Sequence, residues 1–170
     1  MDTVALLEFR DAKDRFFAHA HESPLSHEAR HDFDGLRYYD PNPALVFRLS
    51  VEEGDQAEVR VGTSDGAERT YRRAGVLHFE VDGEDVSLTL YSTGHEGYFL
   101  PFRDSTSGRE TYGAGRYLDL EPNADGTVTL DFNYAYNPTC AYDEAYSCPL
   151  PPSENWLRVP IEAGEKDYAG

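Results

Sequence analysis

A chain of 170 residues is long enough to bury roughly two-thirds of its unfolded surface around one core, so a single domain over 1–170 is expected. Its 32 acidic residues against 15 basic ones leave a formal charge of −17, which repels a phosphate backbone or an anionic membrane and argues against nucleic-acid and membrane partners. No stretch approaches the roughly 18–20 apolar residues of a membrane span, and Met1-Asp2-Thr3 lacks a signal-like flank, so the expected location is cytoplasmic.

The basic residues are almost all arginine, with lysine only at Lys13 and Lys166. Excess carboxylate without lysine stems fits a protein kept in multimolar salt, where a Debye length of about 3 Å screens the self-repulsion. The reading is a halophile with an acidic surface. Phe and Tyr, 9 and 12 residues against a single Met, point to a core of rings and β-branched side chains, which favours sheet over bundle.

In chain order, 1–32 reads as a helical region. Thr3 to Ala18 carries Leu6, Phe9, Phe16 and Phe17 at helical spacing, with Asp2 or Thr3 as cap. Glu8, Arg10, Asp11, Asp14 and Arg15 are expected on the solvated face. A short second helix starts near Ser23-Pro24 or Ser26 and ends by Arg30.

From 36 to 132 the period is that of antiparallel sheet, beginning with Leu45, Phe47, Leu49 and Val51 on one face. Further strands are expected over 57–62, 68–73, 76–81, 86–92, 98–102, 110–112, 116–120 and 127–132. The pairs Asp65-Gly66, Asp82-Gly83 and Asp125-Gly126 suit tight hairpins. Such a meander leaves two raw edges unless it curls, so the expected fold is mainly β: an antiparallel β-barrel or barrel-like sandwich with one N-terminal α-helix and a short second helix. Residues 133–156, rich in Tyr, Asn and Pro, form a long ordered loop of the sort that often carries function, 157–161 supplies a closing strand, and 162–170 is a polar tail.

Two segments concentrate chemistry. Phe99 to Leu118 offers Arg103 and Arg116, with Asp104 and Tyr112, as a clamp for a carboxylate or phosphate, or as barrel-rim ion pairs. In the loop, Asn133, Tyr136, Asn137 and Tyr142 could line a ligand mouth or simply pin the backbone. Cys140 and Cys148, with seven residues between them, read as a structural pair, bonded or as buried thiols; no second ligand pair lies near them, so no metal site is expected there. His19, His21, His27 and His31 read as solvated, and no cofactor can be named.

The leading expectation is a binding domain for a small anionic or aromatic ligand, offered Arg103 and Arg116 at a barrel mouth. One alternative is a small hydrolase or transferase using Tyr112, Cys140 or Asp104, with His78 or His95 as base. The other is a non-catalytic assembly module.

Ser23-Pro24-Leu25, Phe33-x-Gly35-Leu36-x-Tyr38-Tyr39, the Phe99 to Leu118 segment and Phe132-Asn133-x-Ala135-Tyr136-Asn137-Pro138 resemble the family called domain of unknown function 1684. The likeness continues through Cys140, Cys148-Pro149-Leu150-Pro151-Pro152, Asn155 and Ile161-Glu162-Ala163-Gly164-Glu165-Lys166. It implies that these segments share a site or a fold constraint, in a bacterial and archaeal group that supplies no catalytic residues to carry over.

Overall fold

The structure, a computed structural model, describes residues 1–94 and 96–168. It opens with α1 (Thr3–His19), whose first turn is capped by the Asp2 carboxylate accepting the Ala5 N–H at 3.0 Å. Ser26 caps the short α2 (His27–His31) in the same way. The buried stripe of α1 is Leu6, Arg10 and Phe17, whereas Phe9 and Phe16 remain 46% and 44% exposed. The expected face is thus rotated, because Arg10 can bury its stem and still donate to the backbone carbonyls of Tyr39 (3.0 Å) and Asn133 (3.4 Å).

Among the described residues seven strands follow: β1 (Val46–Leu49), β2 (Glu58–Gly62), β3 (Glu68–Val81), β4 (Glu84–Ser92), β5 (Tyr98–Phe102), β6 (Arg116–Leu120) and β7 (Val128–Asp131). They form two antiparallel sheets, β1-β7 and the meander β2-β3-β4-β5-β6. The fold is mainly β, but neither sheet closes into a barrel. The expected strands 68–73 and 76–81 are one long strand with a register shift between Arg73 and Gly75. Glycine eases the close approach there, since a Cβ at position 75 would overlap the Val51 side chain and crowd the Glu52 carbonyl. Asp82-Gly83 forms the β3–β4 hairpin with both residues at positive φ (51° and 80°), as a type I′ turn demands.

Alternation sorts the long sheet into two faces. Leu77, Phe79, Leu88, Leu90, Leu100, Phe102, Leu118 and Leu120 point inward to a core shared with Leu45, Val128, Leu130 and Phe132. The opposite face carries Tyr71, Tyr91, Phe99 and Tyr117.

Three other expectations are corrected. Residues 110–112 are not a strand: Thr106 and Thr111 join hydroxyls at 2.9 Å in a buried turn, which bends that stretch back on itself. Residues 157–161 form no strand either, because the Ile161 N–H goes to the Asp104 carboxylate at 2.7 Å instead of to a ladder. Within the supposed polar tail, Ala163, Gly164 and Glu165 are embedded, Ala163 and Glu165 being at most 1% exposed, while Glu162 and Asp167 are exposed.

The loop from 133 to 156 reaches both edges of the long sheet and pairs with each at one point. At one edge Tyr136 pairs with Tyr117 of β6, exchanging N–H to carbonyl bonds of 3.0 and 2.8 Å. At the other, Leu150 donates to Gly62 at the end of β2, and the Ser64 N–H reaches the Cys148 carbonyl, each at 2.8 Å. This strap then returns over the outer face, where Asn155 inserts its amide between β4 and β5. Covering raw edges removes the templates on which another chain would pair.

Candidate functional site

The two arginines that the sequence singles out have different fates. Arg116 is fully buried on the inner face of β6, donating to the carbonyls of Ile161 (2.9 Å), Ala163 (2.5 Å) and Glu165 (3.1 Å). Asp104 lies 3.6 Å away and gathers the Thr106 hydroxyl and the Ile161 N–H. Burial pulls the Arg116 pKa down, and the Asp104 carboxylate opposes that. This arrangement holds the C-terminal segment against the sheet. Arg103 stacks on the exposed Trp156, 4.8 Å from its ring centre.

The loop residues also divide. Asn133 spends its amide on Asn42, accepting from its N–H (2.8 Å) and donating to its carbonyl (3.0 Å). Tyr142 donates to the buried carboxylate of Glu165 at 2.7 Å, and the Asn137 N–H reaches the same oxygen at 2.7 Å. The Lys13 ammonium pairs with the other Glu165 oxygen and lies 5.2 Å from the Tyr136 ring centre. Burial, then the Glu165 charge, raises the Tyr142 hydroxyl far above the ordinary phenol range, so it remains a donor.

Cys140 and Cys148 are free, buried thiols. The Cys140 N–H reaches the Cys148 sulfur at 3.3 Å, and the Tyr112 hydroxyl lies 3.6 Å from the Cys140 sulfur. Burial raises both the Cys148 thiol and the Tyr112 phenol, so neither is a ready nucleophile at neutral pH and the thiol reacts only under more alkaline conditions. Of the bases named for a catalytic thiol, His78 is exposed and paired with Glu52 at 2.6 Å, and His95 lies outside the described residues. His19, His21, His27 and His31 are all exposed. Among the described residues, no three His, Cys, Asp or Glu side chains come together as a metal site.

What the sequence did not single out is the outer face of the sheet. Tyr71, Phe99, Tyr117 and Tyr136 form a continuous row with ring centres 5.8, 4.8 and 5.8 Å apart, each pair edge to face. The row floors an open groove of about 310 Å³ that is also lined by Arg69, Asp119, Thr139, Cys148 and Pro149. Arg69 is anchored by donating to the Ser147 carbonyl at 2.5 Å. Asp119 accepts the Tyr136 hydroxyl at 2.5 Å. Of the sequence candidates only Tyr136 and Cys148 border this groove. Tyr136, Asn137 and Tyr142 line a second cavity of about 350 Å³ with Lys13, on the other side of Tyr136 and Thr139. One signal for part of the row was available: aromatic residues at 99 and 117 fall out of phase with the inward Leu100, Leu118 and Leu120, where a solvated strand face should be polar, whereas Tyr71 reaches that face only through the register shift between Arg73 and Gly75.

A family model described as "Protein of unknown function (DUF1684)" matches residues 31–166. The chain is also similar to the solution NMR structure of the uncharacterized protein from gene locus rrnAC0354 of Haloarcula marismortui. The two are 42% identical, the match covers 96% of this chain and 92% of that one, and the TM-score is 0.72. No curated protein matches.

Proposed function

Taking as premise that this chain belongs to the DUF1684 family, we propose that it is a binding domain for a small molecule that combines a ring with an anionic group. The ring lies along Tyr71, Phe99, Tyr117 and Tyr136, and the anion meets Arg69 at the groove rim. The carrying observation is the unbroken row of four rings under an open groove, on a surface otherwise rich in carboxylates. Edge-to-face packing makes the floor ribbed, which suits one ring seated against a ring face better than a long flat stack. Arg69, held by Ser147, keeps further N–H groups for a carboxylate or phosphate. Arg103 and Arg116 are not needed for this role: one is engaged with Trp156 and the other with main-chain carbonyls.

Salt adaptation belongs to the same reading. It is supported by the charge of −17, by the scarcity of lysine, and by likeness to a protein of Haloarcula marismortui. Apart from Asp104 and Glu165, no carboxylate among the described residues is buried. A cytoplasmic location goes with this reading, supported by the salt-adapted charge; among the described residues no helix is long and apolar enough to cross a membrane.

The test is an NMR titration in multimolar KCl with 4-hydroxybenzoate, phenyl phosphate and a neutral phenol. The expected result is saturable shifts confined to the rings of the row, with Arg69→Ala weakening the two anions about tenfold and sparing the phenol. Shifts scattered over the surface, or none at millimolar probe, would remove the proposal.

A further inference from the structure

The groove has one wall made by the strap, and the strap carries both cysteines. Tyr136 fastens it to β6, and residues 148–150 fasten it to the end of β2. Between these moorings run the single turn Thr139–Ala141 and the exposed residues Glu144, Ala145 and Tyr146. Cys140 sits in that turn beside Thr139, and Cys148 sits at the far mooring, its N–H donating to the Ser64 hydroxyl at 3.0 Å. The span from one sheet edge to the other therefore begins and ends at a thiol. The Cys140 N–H already touches the Cys148 sulfur at 3.3 Å.

We infer that Cys140 and Cys148 are a reversible thiol–disulfide clamp that sets the strap wall of the groove, an inference that rests on the groove being the binding site. The oxidant is a low-molecular-weight disulfide. Cys148, which borders the groove, attacks one sulfur of that disulfide as its thiolate, having given its proton to solvent; a mixed disulfide forms and one small thiol leaves. Cys140 then loses its proton and attacks the Cys148 sulfur, forming the intramolecular bond and expelling the second small thiol. Two cysteine thiols are oxidised and one small disulfide is reduced to two thiols. Excess small thiol reverses both steps.

The closed loop spans Cys140 to Cys148, so its effect is local: it joins the Thr139 wall to the Cys148 wall and removes the freedom of the residues between. A groove wall fixed beforehand loses less entropy when a ligand arrives, so the oxidised form binds tighter.

The experiment uses the full chain in concentrated KCl, incubated with oxidised glutathione above neutral pH. Expected are a mass lower by two hydrogens, a peptide map joining the two cysteines, slower hydrogen exchange over 136–150, and phenyl phosphate affinity raised roughly threefold to tenfold. Cys140→Ser, which is not a groove residue, should stop at a glutathione adduct on Cys148 and lose the slower exchange. Persistence of both thiols, or a stable adduct on the unmutated chain, overturns the clamp. A disulfide that leaves exchange and affinity unchanged overturns the control of the groove. If the probe binds neither form while the disulfide forms and exchange slows, the groove reading fails and the clamp stands.

Discussion

The side chain of Asn155 bonds Thr89 on both sides, accepting its N–H at 2.8 Å and donating to its carbonyl at 2.9 Å. Its remaining N–H reaches the Pro101 carbonyl at 2.8 Å. The reason lies in β5. Tyr91 and Phe99 are register partners, so Thr89 would next face Pro101, which has no N–H to offer. The Asn155 amide stands in for the missing ladder rung. Replacing it leaves three buried backbone groups unpaired, so Asn155→Ala should cost about 2–4 kcal/mol in chemical denaturation. Asn155→Asp should cost more, since an acceptor would then face two carbonyls. A loss under about 1 kcal/mol would show that strand pairing does not need the insert.

The Lys13–Glu165 pair is the second test. Glu165 is 1% exposed and serves Lys13, Tyr142 and Asn137 together. Lys13→Met should strand that charge and destabilise the fold by about 3 kcal/mol. Glu165→Gln made in the Lys13→Met background should recover much of the loss. Additive losses in the double-mutant cycle would refute the coupling.

Two hairpin aspartates give an acid dependence. Asp65 is lowered from the ordinary 3.8 by its bond from Thr63, and Asp125 by that from Thr127. Groups with depressed folded pKa values stabilise above the unfolded value and lose that contribution as pH falls through the folded one. In high salt, the melting temperature of the unmutated chain should therefore drop below pH 3.8. The gap between it and Asp65→Asn or Asp125→Asn should narrow over the same range. A gap independent of pH would show that the carboxylates act only through shape.

Salt should act in one direction. Surface pairs such as Arg48–Asp125 and Arg73–Asp55 are worth little and weaken on screening. Repulsion at a net −17 is larger, so screening it should win. Moving from dilute buffer to multimolar KCl should raise the melting temperature by at least about 10 °C. A fall on adding salt would mean that attractive pairs dominate.

Local physics made most of the fold legible from residues alone. The Asp82-Gly83 turn needs two positive φ angles, and the strands 98–102 and 116–120 lie within their expected bounds. Legibility ended where distant groups compete for a backbone. Arg10 looks solvated in its helix because the carbonyl of Asn133 that draws it in lies 123 residues away. Ile161 looks like a strand residue until Asp104 takes its N–H. The edge problem was visible in the meander, but its solution was not, since closure and a covering strap both satisfy the same unpaired groups. In the candidate site, Tyr136 stood out from its loop, while its partners Tyr71, Phe99 and Tyr117 sit singly on three strands and meet only once β3, β5 and β6 are assembled.

Chain order gives the strap one more consequence. A ribosome finishes β2 through β6 by residue 120, yet the first border contact needs Tyr136 and the second needs Leu150. Because the exit tunnel conceals the newest residues, the emerging meander spends its vulnerable seconds with both borders bare, at a synthesis pace of about 5–20 residues per second. A chain truncated after Asp131 should accordingly be recovered as aggregates.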